Sequence, residues 1–191
     1  MKHVINNSQE NKFLYFSNQM PGDFFSDSLI YLCEHNNEGA FGFIVNQPFE
    51  VSVSSLFSKL NPRNNQKVLS TDRIMRGGPV EPDRIFILHE EIEKSFKQTS
   101  QITNNLYITT SEDFIKYLSL NNPIIKSRIL IGYCGWGPGQ LEDEIKTNSW
   151  QIIETNEDII FDSLPHQMVP TLSQRLGYDI RKIVNSNTKN H

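Results

Sequence analysis

The sequence is poor in cysteine, in alanine and in basic charge. Its 191 residues hold two cysteines, Cys33 and Cys134, and a single alanine, Ala40. Two thiols cannot build a disulfide framework, so the fold must rest on a packed core. No apolar run reaches the roughly 18–20 residues that a membrane-spanning helix requires. The opening stretch MKHVINNSQENK lacks the apolar segment of a secretion signal, and a cytoplasmic location with reduced thiols is expected. Lys+Arg number 18 against 22 Asp+Glu, giving a net charge of -4. With no basic run to neutralise phosphates, this balance argues against nucleic acid as a partner. There is no Gly/Ser/Pro-rich linker and no internal repeat. One domain over residues 1–191 is therefore expected, with an ordered core of about 13–180 between polar, frayed ends. The 19 asparagines are dispersed and form no prion-like tract. Together with 21 isoleucines, they fit drift toward AT-rich codons.

What is present alternates short β-rich runs with a few helices, which predicts an α+β domain. Strands are expected at 13–16, 29–34, 41–46, 84–89, 106–109, 128–134 and 150–153, with a further β-like piece at 159–161. The polar joint from His35 to Gly39 suits a hairpin between the second and third strands. Pro48 should end the third strand, because it has no N–H for the ladder. Helices are expected at 52–60, 111–120, 140–148 and 165–176. Asn61-Pro62 and Asn122-Pro123 are the stops of the first two, and 61–72 is a polar connection. Gly177 is the expected terminator of the last.

Five clusters carry residues capable of chemistry. In Cys33-Glu34-His35-Asn36, alternation on a strand puts Cys33 and His35 on one face and Glu34 on the other. A structural zinc site needs about four ligands, usually as two close pairs, and no second pair is present, so no metal is expected. A buried, inert Cys33 and a His35 bonded to the hairpin are the simpler expectation. Asn46 ends an apolar strand, where it can close an Asx-turn before Pro48 or read a ligand. Arg76-Gly77-Gly78-Pro79 is either a turn feeding a central strand or an anion-binding nest with added charge. His89 ends the run RIFILH and precedes Glu90, Glu91 and Glu93, which should bias its ring toward protonation. Lastly, the run from Gly135 to Glu142, GWGPGQLE, has the outline of a phosphate cradle. It lacks the Lys-Ser/Thr of a P-loop, and Glu142, Asp143 and Glu144 would repel a phosphate. A rigid corner that sets Trp136, beside an inert Cys134, is expected instead.

These motifs carry a resemblance. MPG at 20–22, YLCEHNNEGAFGFIVNQP at 31–48, GGPV at 77–80, IFILH at 85–89 and GYCGWGPGQLEDEI at 132–145 are similar, in order and spacing, to the YqgE/AlgH family. That bacterial family has no assigned biochemical activity, and one branch carries a transcriptional-regulator name. Two positions depart from its pattern: Gln47, where a basic residue is usual, and Cys134, where alanine is usual. The resemblance implies a compact α+β unit with a curved, partly barrel-like, mostly antiparallel mixed sheet flanked by helices.

The expectation for function is a non-catalytic protein that binds a protein partner or a small ligand through strand-end loops, with no cofactor. The candidate surface is His35, Asn36, Asn46, Arg76, Gly77, Gly78, His89 and Trp136, because sites gather on loops at strand ends. The alternative is a hydrolase or redox enzyme with a Cys33/His35 or His89 centre, which needs nucleophile and base within hydrogen-bond reach. A DNA-binding regulator ranks third.

Overall fold

The computed structural model describes residues 8–16, 23–60, 73–121, 125–154 and 156–182. The MPG motif, the 61–72 connection, the Asn122-Pro123 stop and the outermost termini lie outside them. In chain order the first elements are β1 (Phe13–Phe16), β2 (Leu29–Asn36), β3 (Gly39–Ile44), β4 (Pro48–Ser52) and α1 (Val53–Leu60). Next come β5 (Arg73–Arg76), β6 (Val80–His89), β7 (Thr99–Gln101), β8 (Tyr107–Thr109) and α2 (Glu112–Asn121). The last are β9 (Ser127–Trp136), α3 (Gln140–Lys146), β10 (Trp150–Ile153), α4 (Asp158–Asp162) and α5 (Pro165–Leu176), followed by a 3-10 turn at Ile180–Lys182. This is an α+β fold with mixed, mostly antiparallel pairing. β5 with β9 is the parallel exception, with Met75 opposite Leu130. No helix among the described residues is long and apolar enough to cross a membrane.

The chain gathers into two compact units, 1–46 with 134–191, and 47–133. In the first, β10, β1, β2, β3 and the end of β9 pair antiparallel in that order. Its core holds Leu14, Ile30, Leu32, Ile44, Trp136 and Trp150. β2 and β3 form the expected hairpin, but the ladder runs further than expected, to Asn36 opposite Gly39. That leaves a two-residue turn, Asn37-Glu38, which the Asn36 carboxamide braces by accepting the Glu38 N–H at 2.7 Å. Gly39 sits at φ +132, and a Cβ there would run into the Trp136 carbonyl oxygen, so only glycine fits. A bulge between Leu32 and Glu34 bends the pair, one of the local devices that curve a sheet. Residues 8–11, read as part of a frayed end, are tied to β2. Asn11 N–H donates to the Leu32 carbonyl at 2.8 Å and Ser8 Oγ to that of His35 at 3.1 Å.

α5 runs over the expected residues, with Pro165 in its first turn and Gly177 at φ +77 just past its end. The β-like reading of 159–161 is corrected, because these residues are helical in α4. Ile159 and Ile160 are both fully buried, and successive side chains on a strand would point to opposite faces.

In the second unit β4 pairs β5, β5 pairs β9, and β9, β6, β8 and β7 follow antiparallel. Val53, Phe57, Ile74, Ile87, Phe114, Leu118 and Ile129 form its core. Pro48 marks the end of the preceding apolar run, yet it also opens β4, the first position of a strand being one a proline tolerates. Ser52 Oγ accepts the Ser55 N–H at 3.2 Å and so caps α1.

Candidate functional site

In the first unit, the strand-end residues are engaged with the scaffold. His35 is 3% exposed. Its Nδ1 accepts the Gln9 N–H at 3.0 Å, which fixes the neutral tautomer with Nε2–H directed at Glu142 Oε1, 3.1 Å away. Cys33, two residues earlier, is buried, and burial pushes its thiol well above the usual range. Its Sγ lies 3.9 Å from the Tyr31 carbonyl, and both ring nitrogens of His35 are committed elsewhere. The two therefore do not form a nucleophile and base pair. Asn36 Nδ2 donates to Glu34 Oε1 at 2.7 Å within the hairpin.

Asn46 does not close a local Asx-turn. Its Oδ1 accepts the Leu29 N–H and its Nδ2 donates to the Asp27 carbonyl, both at 2.8 Å, so it locks the chain entering β2. Trp136 donates Nε1–H to Glu144 Oε2 at 2.8 Å, and Trp150 donates to the same oxygen at 2.7 Å. Gln140 bridges the corner, accepting the Gly137 N–H at 3.0 Å and donating to Glu144 Oε1 at 2.9 Å. The GWGPGQLEDE run is thus a rigid corner, closed by the acidic residue that disfavours a phosphate there.

In the second unit Arg76 ends β5, and Gly77 and Gly78 open the turn into β6. Gly77 N–H donates to the Ile131 carbonyl and Arg76 N–H to that of Gln47, each at 2.8 Å. Arg76 lies over the Phe49 ring at 5.2 Å. Gly132, at φ +71, leaves room for the Gly78 carbonyl, which a Cβ would strike. The turn is buried at both glycines, and the Gly77 N–H that a nest would use belongs to the sheet. His89 closes the far end of β6, which runs alongside Ser127 to Tyr133 of β9 and so separates it from this turn by roughly 20 Å.

His89 differs from every other candidate. It is 1% exposed, its Nδ1 lies 2.7 Å from the Glu90 carbonyl, and its buried Nε2 has no partner among the described residues. Because a carbonyl only accepts, Nδ1 carries the hydrogen and Nε2 presents a bare lone pair in the neutral ring. The expected bias toward protonation is corrected. Burial lowers the His89 pKa, and the hydrogen bond to Glu90 offsets this only in part. The ring stacks on Tyr107 at 5.8 Å and tilts against Phe114 at 4.5 Å, while Glu90 turns its Oε1 to the Lys126 N–H at 2.9 Å. His89 lines a cavity of about 300 Å³. Ile92, Phe96 and Tyr107 form its apolar wall, and Glu91, Lys94, Ser95, Thr99 and Gln101 the polar one. Lys94 Nζ rests over Phe96 and Tyr117, 5.1 and 5.2 Å from the ring centres. Thr99 is spent on Thr109 at 3.0 Å. Of the eight residues singled out in the sequence, His89 is the one that lines this cavity.

A family model described as AlgH-like (DUF179) matches residues 13–181. The chain belongs to the AlgH-like family. A UPF0301 protein of Vibrio atlanticus (strain LGP32) is 37% identical over 178 residues, covering 91% of this chain and 94% of the relative. A UPF0301 protein of Haemophilus influenzae (strain 86-028NP) is 35% identical over 156 residues, covering 81% and 84%. The solution structure of AlgH from Pseudomonas aeruginosa matches with a TM-score of 0.75 at 30% identity, over 100% of both chains. Protein DIP2367 of Corynebacterium diphtheriae shares the fold, with a TM-score of 0.59 at 19% identity over 81% of this chain and 79% of that one.

The two departures from the family pattern can now be placed. Gln47, where a basic residue is usual, uses its backbone carbonyl to receive Arg76. Cys134, where alanine is usual, is 1% exposed, and burial pushes its thiol up to about 12. Sequence reasoning missed Tyr107, Phe96 and Lys94 as companions of His89, and Glu144 as the acceptor of both indoles. The first set comes from two segments, the stretch after β6 that holds Lys94 and Phe96 and the strand β8 that holds Tyr107, and no recognisable motif announces it. Glu144 had a faint signal, an acid one helical turn beyond Gln140 after a Gly-Pro-Gly corner.

Proposed function

We propose that this AlgH-like protein is a non-catalytic cytoplasmic protein that binds a small ligand in the cavity beside His89. The observation that carries the reading is the His89 ring itself, buried and held in one tautomer, lining a cavity with one nitrogen unpartnered. Buried polar atoms are nearly always satisfied, and one that is not, at a cavity wall, fits a group awaiting a ligand donor. The non-catalytic part rests on the sulfur and on the other strand-end histidine. Cys33 is sealed with its thiolate disfavoured, and His35 has both nitrogens in use.

A thermal-shift screen of the full chain against polar metabolites tests the reading. A ligand present at about 100 times its Kd adds roughly 2.7 kcal/mol. For a chain of this size that raises Tm by about 5–10 °C. Gln101→Trp, which sets an indole at the cavity wall, should abolish the shift. A panel in which no compound moves Tm overturns the small-ligand reading in favour of a protein partner.

A further inference from the structure

We propose that the cavity beside His89 takes an α-amino acid with an apolar side chain, bound as its zwitterion. The inference rests on the small-ligand reading above and adds the chemical class of the ligand. His89 sets the first requirement. With Nδ1–H committed to the Glu90 carbonyl at 2.7 Å, Nε2 can only accept, so the ligand must bring an N–H or O–H. Two opposite charges at the cavity set the second. Neither Glu91 nor Lys94 has an ion-pair partner among the described residues, and the Lys94 ammonium rests instead on the Phe96 and Tyr117 rings. A molecule carrying both an ammonium and a carboxylate pairs each of them and leaves no charge over.

The third requirement comes from Ile92, Phe96 and Tyr107, whose apolar surface suits an aliphatic or aromatic side chain. The volume of about 300 Å³ lies at the low end of ligand cavities and suits a molecule of this size. Nε2 is shut off from water, so the ring or the wall beside it must shift before a ligand ammonium can reach that nitrogen. Lys94, exposed and held among the described residues by ring contacts alone, can move toward a carboxylate at small cost.

The test is isothermal titration of the full chain with four probes of one shape. L-phenylalanine has both charged groups. 3-Phenyllactate replaces the ammonium by a hydroxyl, 2-phenylethylamine lacks the carboxylate, and 3-phenylpropionate lacks the ammonium. L-phenylalanine is expected to bind with a Kd below about 1 mM, and each analogue at least about tenfold more weakly. Lys94→Met is an exposed substitution that leaves the fold intact. It should weaken L-phenylalanine about tenfold while leaving 2-phenylethylamine unchanged. His89→Phe, checked for folding by near-UV circular dichroism, should weaken L-phenylalanine and 2-phenylethylamine alike. Equal binding of L-phenylalanine and 3-phenylpropionate overturns the inference, and so does insensitivity to Lys94→Met. If none of the four binds while the metabolite screen yields another ligand, the amino-acid class falls and the small-ligand reading stands. Silence in both overturns both.

Discussion

Glu144 receives both of the tryptophans in the sequence, so its removal gives a sharp test of the corner that follows β9. In Glu144→Ala, Trp136 Nε1 and Trp150 Nε1 lose the oxygen that now lies 2.8 and 2.7 Å away, and Gln140 Nε2 loses its contact at 2.9 Å. The indoles are buried, at 8% and 5% exposure, so each stranded N–H costs about 1–3 kcal/mol. Glu144 is only half-buried, and water entering its place recovers part of this, leaving a loss of about 2–4 kcal/mol. At about 2–4 °C per kcal/mol for a chain of this length, Tm falls by about 4–16 °C. Glu144→Gln keeps an acceptor oxygen and should cost about 1 kcal/mol. Tryptophan emission reports on this cluster alone, because the chain has no other indole, and in the alanine variant it should shift to the red before the main transition. A variant that melts within about 1 °C of wild type with unchanged emission would refute the assignment of these bonds as structural.

Gly39→Ala combines a left-handed φ with a collision against the Trp136 carbonyl. It should destabilise by about 3 kcal/mol or more, visible as a lower urea midpoint and a smaller soluble fraction. Cys33 and Cys134 are both buried with their thiolates disfavoured. An aromatic disulfide reagent at about pH 8 should titrate neither in the native protein and both after denaturation, and fast labelling of Cys33 would revive a thiol centre. Burial holds the His89 pKa below its ordinary 6.5, so the unfolded chain takes up a proton that the folded one resists. The stability at stake is present in full above about pH 6.5 and drains away as pH falls toward the lowered folded value. Urea midpoints from pH 7.5 to 5 should therefore decline more steeply for wild type than for His89→Phe, and parallel curves would contradict the buried neutral ring.

Elements whose signals are local were readable. The hairpin joint and the Pro165 and Gly177 boundaries of α5 depend on residues adjacent in the chain, and their turn and cap chemistry does not need the rest of the fold. β4 and β5 were lost because Pro48 was weighed only as a terminator, and because four- and five-residue strands that pair mainly with each other show little periodicity. α4 was misread because two adjacent isoleucines carry β propensity, and only tertiary packing asks that both be buried on one side. The protonation bias assigned to His89 failed for a related reason. Sequence neighbours supplied three carboxylates, but in space Glu90 gives its carbonyl to the ring and its carboxylate to Lys126, and the burial of the ring outweighs the rest.

The two strand-end histidines show why a candidate site could be proposed from sequence but not chosen. His35 and His89 look alike in the chain: each follows a β-rich run, and each has glutamates within a few residues. In the fold both are nearly sealed from water, and each holds one neutral tautomer through a backbone partner. Their second nitrogens differ. That of His35 is an N–H and meets Glu142, whereas that of His89 is a lone pair and meets nothing among the described residues. The difference follows from which ring atom the backbone engages. An amide N–H on Nδ1 leaves a donor at Nε2, which an acid-rich helix can satisfy, while a carbonyl on Nδ1 leaves an acceptor that none of the nearby glutamates can serve when ionised. A buried acceptor with no donor beside it stays unsatisfied until something with an N–H or O–H arrives. Of the carboxylates that follow His89 in the sequence, Glu91 lines the cavity, where it is no partner for the ring but would attract a ligand that carries an ammonium group.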